Sequence, residues 1–266
     1  TTLRIMKIFT VVLVHIFFFS YQSSYAQINL RKLLKGDTTS TKTSSSTKVS
    51  STSSLSLNNS EISSGLKQAL EKSLQSSIKS LSQKDGFLGN QAVKVLLPPQ
   101  AQKAEKALKA IGLGSLTDQL TTSLNRAAES AVSEAGPVFV GALKKLTIAD
   151  ASRILLGGEQ DAATNYFKGQ TSQELSNKFK PIVSQNLQKF DVSKHWNAVA
   201  TSYNQIPLVR DKMEADLNTY VTQKAIDGLF YQIAQEELKI RNNLGGSRTT
   251  PLLQKVFGYA DKEEKK

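Results

Sequence analysis

Cysteine is absent from the 266 residues, histidine occurs twice and tryptophan once. Without cysteine the chain has no disulfide framework, zinc ribbon, iron–sulfur cluster or thiol nucleophile, and no lipobox residue to carry a lipid anchor. His15 lies in an N-terminal apolar run, which leaves His195 alone in the remainder and excludes a His-rich metal site or a two-histidine mechanism. Proline is scarce, with six residues, and aromatics make up only 7%. No segment alternates polar and apolar residues at period two, so no sheet is expected, and no fixed-period repeat suggests a solenoid. A G-x-x-x-x-G-K-[ST] phosphate loop and a G-x-S-x-G nucleophile elbow are both missing.

What is present begins with a targeting pattern. Met6 reads as the initiator, with residues 1–5 as an upstream extension. Lys7, the twelve-residue apolar run Ile8–Phe19 and a polar stretch ending Ser24-Tyr25-Ala26 follow. That order describes a secretory signal peptide cleaved after Ala26. An uncleaved anchor fits less well, because such a run covers about 18 Å of helix against a hydrocarbon core of about 30 Å. No later stretch approaches spanning length, so the mature chain is expected to be exported without a transmembrane span.

Residues 27–57 read as a tether. From Thr38 to Leu57, fifteen of twenty positions are Ser or Thr, too little apolar surface to offset the entropy of ordering, so disorder is expected. Residues 58–258 then form one domain, long enough for a sizeable core, and residues 259–266 a charged tail. The headline net charge of +12 divides unevenly. The signal carries +2, the tether +4, and the domain +6 from 24 basic and 18 acidic side chains. No Lys/Arg stripe interleaved with aromatics appears, so nucleic-acid binding is not expected.

The domain reads as helix throughout, an all-α fold. Asn58-x-x-Glu61 fits a capping box opening a row of Ile62, Leu66, Leu70, Leu74, Ile78 and Leu81. Residues 87–97 read as a loop or extended segment. Helices are expected over about 99–111, 115–135 and 137–145, with Gly112-Leu-Gly114 as a stop. Thr147-x-x-Asp150 caps a short helix closed by Gly157-Gly158, and residues 160–168 add a turn or two. Thr171-x-x-Glu174 reads as a further capping box leading to Phe190, with Pro181 kinking or splitting the run. Residues 194–205 form a helix stopped before Pro207. The segment 217–242 is expected to be the longest helix, and Thr250-Pro251 starts a last short one ending at Phe257.

Seven strings within this frame are distinctive: GFLGNQAVKVLLP (86–98), LNRAAE (124–129), RILLGGEQDAATNYF (153–167), KFKPIV (178–183), YNQIP (203–207), YVTQKAIDGLFY (220–231) and RTTPLLQKVFG (248–258). In order and spacing they resemble a family of exported bacterial proteins, the domain of unknown function numbered 4197. The resemblance implies a bacterial, all-helical protein of the periplasm or cell envelope, and it implies no reaction. Some members are lipoproteins, an anchoring mode that this cysteine-free chain cannot use.

The helix over 217–242 is apolar over most of its circumference, the mark of a central, buried helix. Lys224, Asp227 and Glu236 nevertheless fall within its apolar rows. A buried charge must be paired, hydrated or functional. Lys224 and Asp227 are close enough along the helix to pair. Arg126 and Glu129 are the best candidates for a facing polar patch, which Tyr166, Lys178 and Tyr203 could join. That cluster would be either a structural ion-pair network or a polar cleft for a small anionic or sugar-like ligand. No catalytic residue, metal site or cofactor is expected. His195 beside Trp196 reads as packed or hydrogen-bonded, and the Glu-x-x-His spacing of di-iron bundles is absent. The expected function is a non-catalytic binding or interaction module for an unknown envelope ligand or protein. The alternatives are a hydrolase of an envelope polymer using Glu129, Asp227 or Glu236, and a lipid or amphiphile binder.

Overall fold

The computed structural model describes residues 57–205 and 216–263. The expected signal segment, the tether up to residue 56, the stop at Pro207 and residues 264–266 lie outside the described residues. Within them the chain forms nine α-helices and one short 3-10 turn, with no strand.

Two helix starts follow the expected chemistry. In α1 (Asn59–Ser82) the Glu61 N–H donates to Asn58 Oδ1 at 2.7 Å, and the Asn58 N–H donates to Glu61 Oε2 at 3.2 Å. This reciprocal box satisfies two donors that a helix start otherwise leaves unpaired. α2 (Pro99–Ala110), α3 (Gly114–Val132) and α4 (Gly136–Lys145) begin at proline or glycine, and α2 stops before Gly112, whereas α3 and α4 end at Ser133 and Leu146. α5 (Ile148–Leu156) opens on the second box, with the Asp150 N–H donating to Thr147 Oγ1 at 3.1 Å.

The third expected box does not form. Thr171 lies inside one continuous helix, α6 (Ala162–Lys189), and its hydroxyl donates to the Phe167 carbonyl at 2.7 Å. The reason lies in the buried row Ala163, Phe167, Thr171, Leu175, Phe179, Val183 and Leu187, which steps by four without a break. With its hydroxyl turned back on the helix, Thr171 presents only its methyl to the core. Pro181 does not split the helix either. It removes the N–H that the Asn177 carbonyl would accept, but both residues lie on the exposed side, where water can replace the bond.

α7 (Val192–Asn204) and α8 (Leu217–Arg241) follow. α8 is the central helix, packed against α1, α3 and α6. It is not the longest: it has 25 residues against 28 in α6, because α6 absorbs the turn expected at 160–168. After the 3-10 turn Leu244–Gly246, α9 (Pro251–Glu263) runs past Phe257 and takes in part of the expected tail. Ala260 extends its buried row, and Asp261 is held by Arg248.

The core is aliphatic with a few rings. Phe139 meets Phe230 edge to face at 5.9 Å and Phe167 at 6.5 Å, geometries that aromatic quadrupoles favour. α7 leans on α2 and α3 while α8 leans on α6, and the two make little direct contact with each other. Among the described residues, a cleft lies between them over the C-terminal half of α6.

Candidate ligand-binding cleft

Two buried carboxylates organise the polar interior. The first is Glu129 on α3, which accepts the Phe87 and Leu88 N–H groups at 3.2 and 3.3 Å and pairs with Arg126 at 2.7 Å. Arg126 also reaches Asp85 at 2.7 Å. One turn back, the fully buried Asn125 carboxamide accepts the Val95 N–H and donates to the Val95 carbonyl, both at 2.8 Å. Arg126 and Glu129 pair with each other instead of forming the expected patch against Lys224, Asp227 and Glu236, and what they hold is the backbone of residues 85–95. The string at 124–129 clamps the string at 86–98. That loop then packs on α8 at Gly228, where a Cβ would stand 2.6 Å from the Phe87 ring.

The second is Glu237, adjacent to the expected Glu236. Asp161 at the start of α6 makes no side-chain cap. Glu237 caps α6 from another helix instead, accepting the Ala163 and Thr164 N–H groups at 3.0 and 2.8 Å and the Thr164 hydroxyl at 2.7 Å. Arg241 pairs with Glu237 at 2.9 Å and donates to the Ile154 carbonyl at the end of α5. Arg248 donates to the Ile240 and Arg241 carbonyls at the end of α8 and pairs with Asp261 on α9. Negative charge at a helix start and positive charge at helix ends both oppose the helix dipole.

The remaining sequence candidates take separate partners. Lys224 is exposed and lies over the Tyr220 ring at 5.8 Å. Asp227 accepts from Gln223 at 3.0 Å, and Glu236 pairs with Lys239 at 2.7 Å. Tyr166 donates to Asp150 at 3.3 Å, and burial raises its hydroxyl above the ordinary phenol pKa. Lys178 is half-buried on α6, and Tyr203 is half-buried on α7 and packed against the core.

The opening between α6, α7 and α8 is a cleft of about 310 Å³. Its apolar floor is Leu187, Val192 and Leu217, each buried. Ser184, Gln188, Ser193 and Asn197 supply hydroxyl and amide groups around it, and Trp196, the sole tryptophan, forms part of the wall. Asp216 and Asn218 line it from the start of α8. Asp216 caps that helix, accepting the Thr219 N–H at 3.0 Å and its hydroxyl at 2.6 Å. Those two bonds, with Lys180 nearby, hold the Asp216 carboxyl below its ordinary pKa, so it stays ionised at neutral pH. The Asn218 Oδ1 is buried and accepts no hydrogen bond. The start of α7 is also open: Asp191 adopts a left-handed conformation at φ 52° and its side chain caps nothing. The sequence reading missed this cleft, although the lone tryptophan was a signal that could have marked it.

Fold and site together define an all-helical domain with an open polar cleft. Among the described residues no group of three His, Cys, Asp or Glu could hold a metal ion, and no helix is long and apolar enough to cross a membrane. Residues 56–258 match the family described as "Protein of unknown function (DUF4197)", and the chain belongs to that family. No curated protein and no solved structure matches the chain.

Proposed function

We propose that the protein is an exported, non-catalytic binding module of the bacterial envelope, with the cleft between α6, α7 and α8 as its binding surface. One observation carries the binding reading. A cleft of about 310 Å³ between α6, α7 and α8 sets the hydroxyls and amides of Ser184, Gln188, Ser193 and Asn197 around an apolar floor, with Trp196 in its wall. Export is supported by Lys7, the Ile8–Phe19 run and the small residues Ser24 and Ala26 before the expected cut.

No observation favours the other two readings. The carboxylates of the hydrolase reading are engaged separately: Glu129 by Arg126 and backbone N–H groups, Asp227 by Gln223, and Glu236 by Lys239. A largely apolar cavity lined by α1, α6, α8 and α9 is about 10 Å³, enough for one water at most and far too small for an acyl chain.

Fractionation followed by native mass spectrometry of protein taken from its own cells tests the proposal. The expected result is an envelope-fraction chain beginning at Gln27 that carries a non-covalent mass. A cytosolic chain that retains residues 6–26, at its bare mass, overturns it.

A further inference from the structure

We propose a second binding site, in a crevice between α4 and α6, whose ligand is a small zwitterion of the size of glycine or alanine. Its carboxylate meets Lys145 and its ammonium group meets Glu174. The site does not rest on the assignment of the cleft: Ser184, the first α6 residue lining the cleft, is about 15 Å further along the helix than Glu174.

Tyr166, Gln170 and Glu174 step by four along α6 and so share one face of that helix. Ala142 and Lys145, three apart near the end of α4, line the opposite wall. Where α4 packs on α6, these side chains enclose a crevice of about 30 Å³ with a mostly polar lining. Thr171 also lines it, but its hydroxyl is spent on the Phe167 carbonyl. The apolar part of the crevice is therefore small, the methyl groups of Thr171 and Ala142.

Charge sets the ligand class. Lys145 and Glu174 are the two ionised side chains lining the crevice, and they do not meet. Among the described residues neither makes a hydrogen bond or an ion pair, and the Gln170 amide makes none either. Lys178, one turn beyond Glu174, forms no ion pair with it. Asp150, behind Tyr166, is already held by Thr147 and Arg153. An anion alone would satisfy Lys145 and face Glu174, and a cation alone would do the reverse. A molecule with both charges on one carbon satisfies the two together.

The neutral groups suit the same ligand. The Tyr166 hydroxyl donates its proton to Asp150, which leaves the oxygen as an acceptor for an ammonium group. Burial raises that hydroxyl above the ordinary phenol pKa, so it stays neutral. The Gln170 amide can donate to a carboxylate or accept from an ammonium. A cavity needs about 10–15 Å³ to hold one water, so the crevice admits two or three water-sized groups. Glycine or alanine fits that space, with the alanine methyl against Ala142 and Thr171, and a long side chain does not.

The experiment is calorimetric titration of the full chain with glycine, alanine, leucine, acetate and methylammonium at constant ionic strength. Saturable binding of glycine or alanine at about millimolar concentration or below is expected, with the other three probes at least about tenfold weaker. Lys145→Met and Glu174→Gln alter exposed side chains, so each should keep the circular dichroism of wild type. Each should also weaken the amino acid about tenfold. Trp196→Ala, in the cleft, should bind it as wild type does. No saturable binding of either amino acid overturns the site. Acetate or methylammonium binding as tightly as alanine overturns the zwitterion assignment. Alanine binding lost in Trp196→Ala but kept in Glu174→Gln moves the ligand to the cleft and overturns the α4–α6 site, while leaving the cleft as the binding surface.

Discussion

The two buried carboxylate clamps and the open cleft treat polar groups in opposite ways. At the clamps, Glu129 and Glu237 each accept several hydrogen bonds and each faces an arginine. At the cleft, the polar side chains of Gln188, Ser193 and Asn197 are exposed instead. Buried ionisable residues therefore mark structure in this fold, whereas the cleft presents neutral hydroxyls and amides around an apolar floor. The clamps also explain why charge in the apolar rows of α8 is tolerated. Glu237 and Arg241 lie four residues apart on one face, and each reaches a helix terminus that lacks a partner of its own.

This contrast can be broken first at Glu237. Glu237→Ala leaves Arg241 buried without its partner and uncaps α6, and should lower stability by about 3–5 kcal/mol in urea unfolding. A loss under about 1 kcal/mol would mean that the clamp is incidental. Asn125→Ala orphans the Val95 N–H and carbonyl and should lower stability by about 2 kcal/mol, with faster hydrogen exchange confined to residues 85–97. Gly228→Ala drives a methyl into the Phe87 ring and should destabilise by about 1–3 kcal/mol.

Much of the helical frame was legible in local residues. The boxes at Asn58 and Thr147 and the prolines at helix starts act over three or four residues, and they form as expected. Thr171 misled because a box and a helix interior share the same letters. Only the continuous row from Ala163 to Leu187 separates them, and that row was readable. The buried carboxylate was misplaced by a single residue. A step from Glu236 to Glu237 turns a helix by about 100°, and the Glu237–Arg241 spacing was the better guide. Arg126 with Glu129 was recognisable as a polar pair. Their partner, the backbone of residues 85–95, has no side-chain signature and was not. The cleft depends on α7 and α8 diverging over α6, a tertiary relation that no local pattern encodes.

Smaller effects sharpen the comparison from the cleft side. Asp216→Ala removes the α8 cap and should lower stability by about 1 kcal/mol. Because the folded Asp216 carboxyl is held below its unfolded value, its contribution is present above the unfolded pKa of about 3.9. It is lost as pH falls through the lower folded value. The stability gap between wild type and Asp216→Ala should therefore be constant from pH 5 to 8, as flagged by that pKa of about 3.9, and should close in acid. Asn218→Leu is expected to change stability by less than about 0.5 kcal/mol or to raise it, since no protein hydrogen bond is lost. A large destabilisation there would return Asn218 to the same class as Asn125.

The most direct test is native mass spectrometry of wild type and Trp196→Ala, each drawn from its own envelope and each folded by circular dichroism. A non-covalent mass present on wild type and missing from Trp196→Ala is the predicted result. An identical spectrum for the two proteins, with or without an adduct, would contradict the assignment of the cleft as the binding surface.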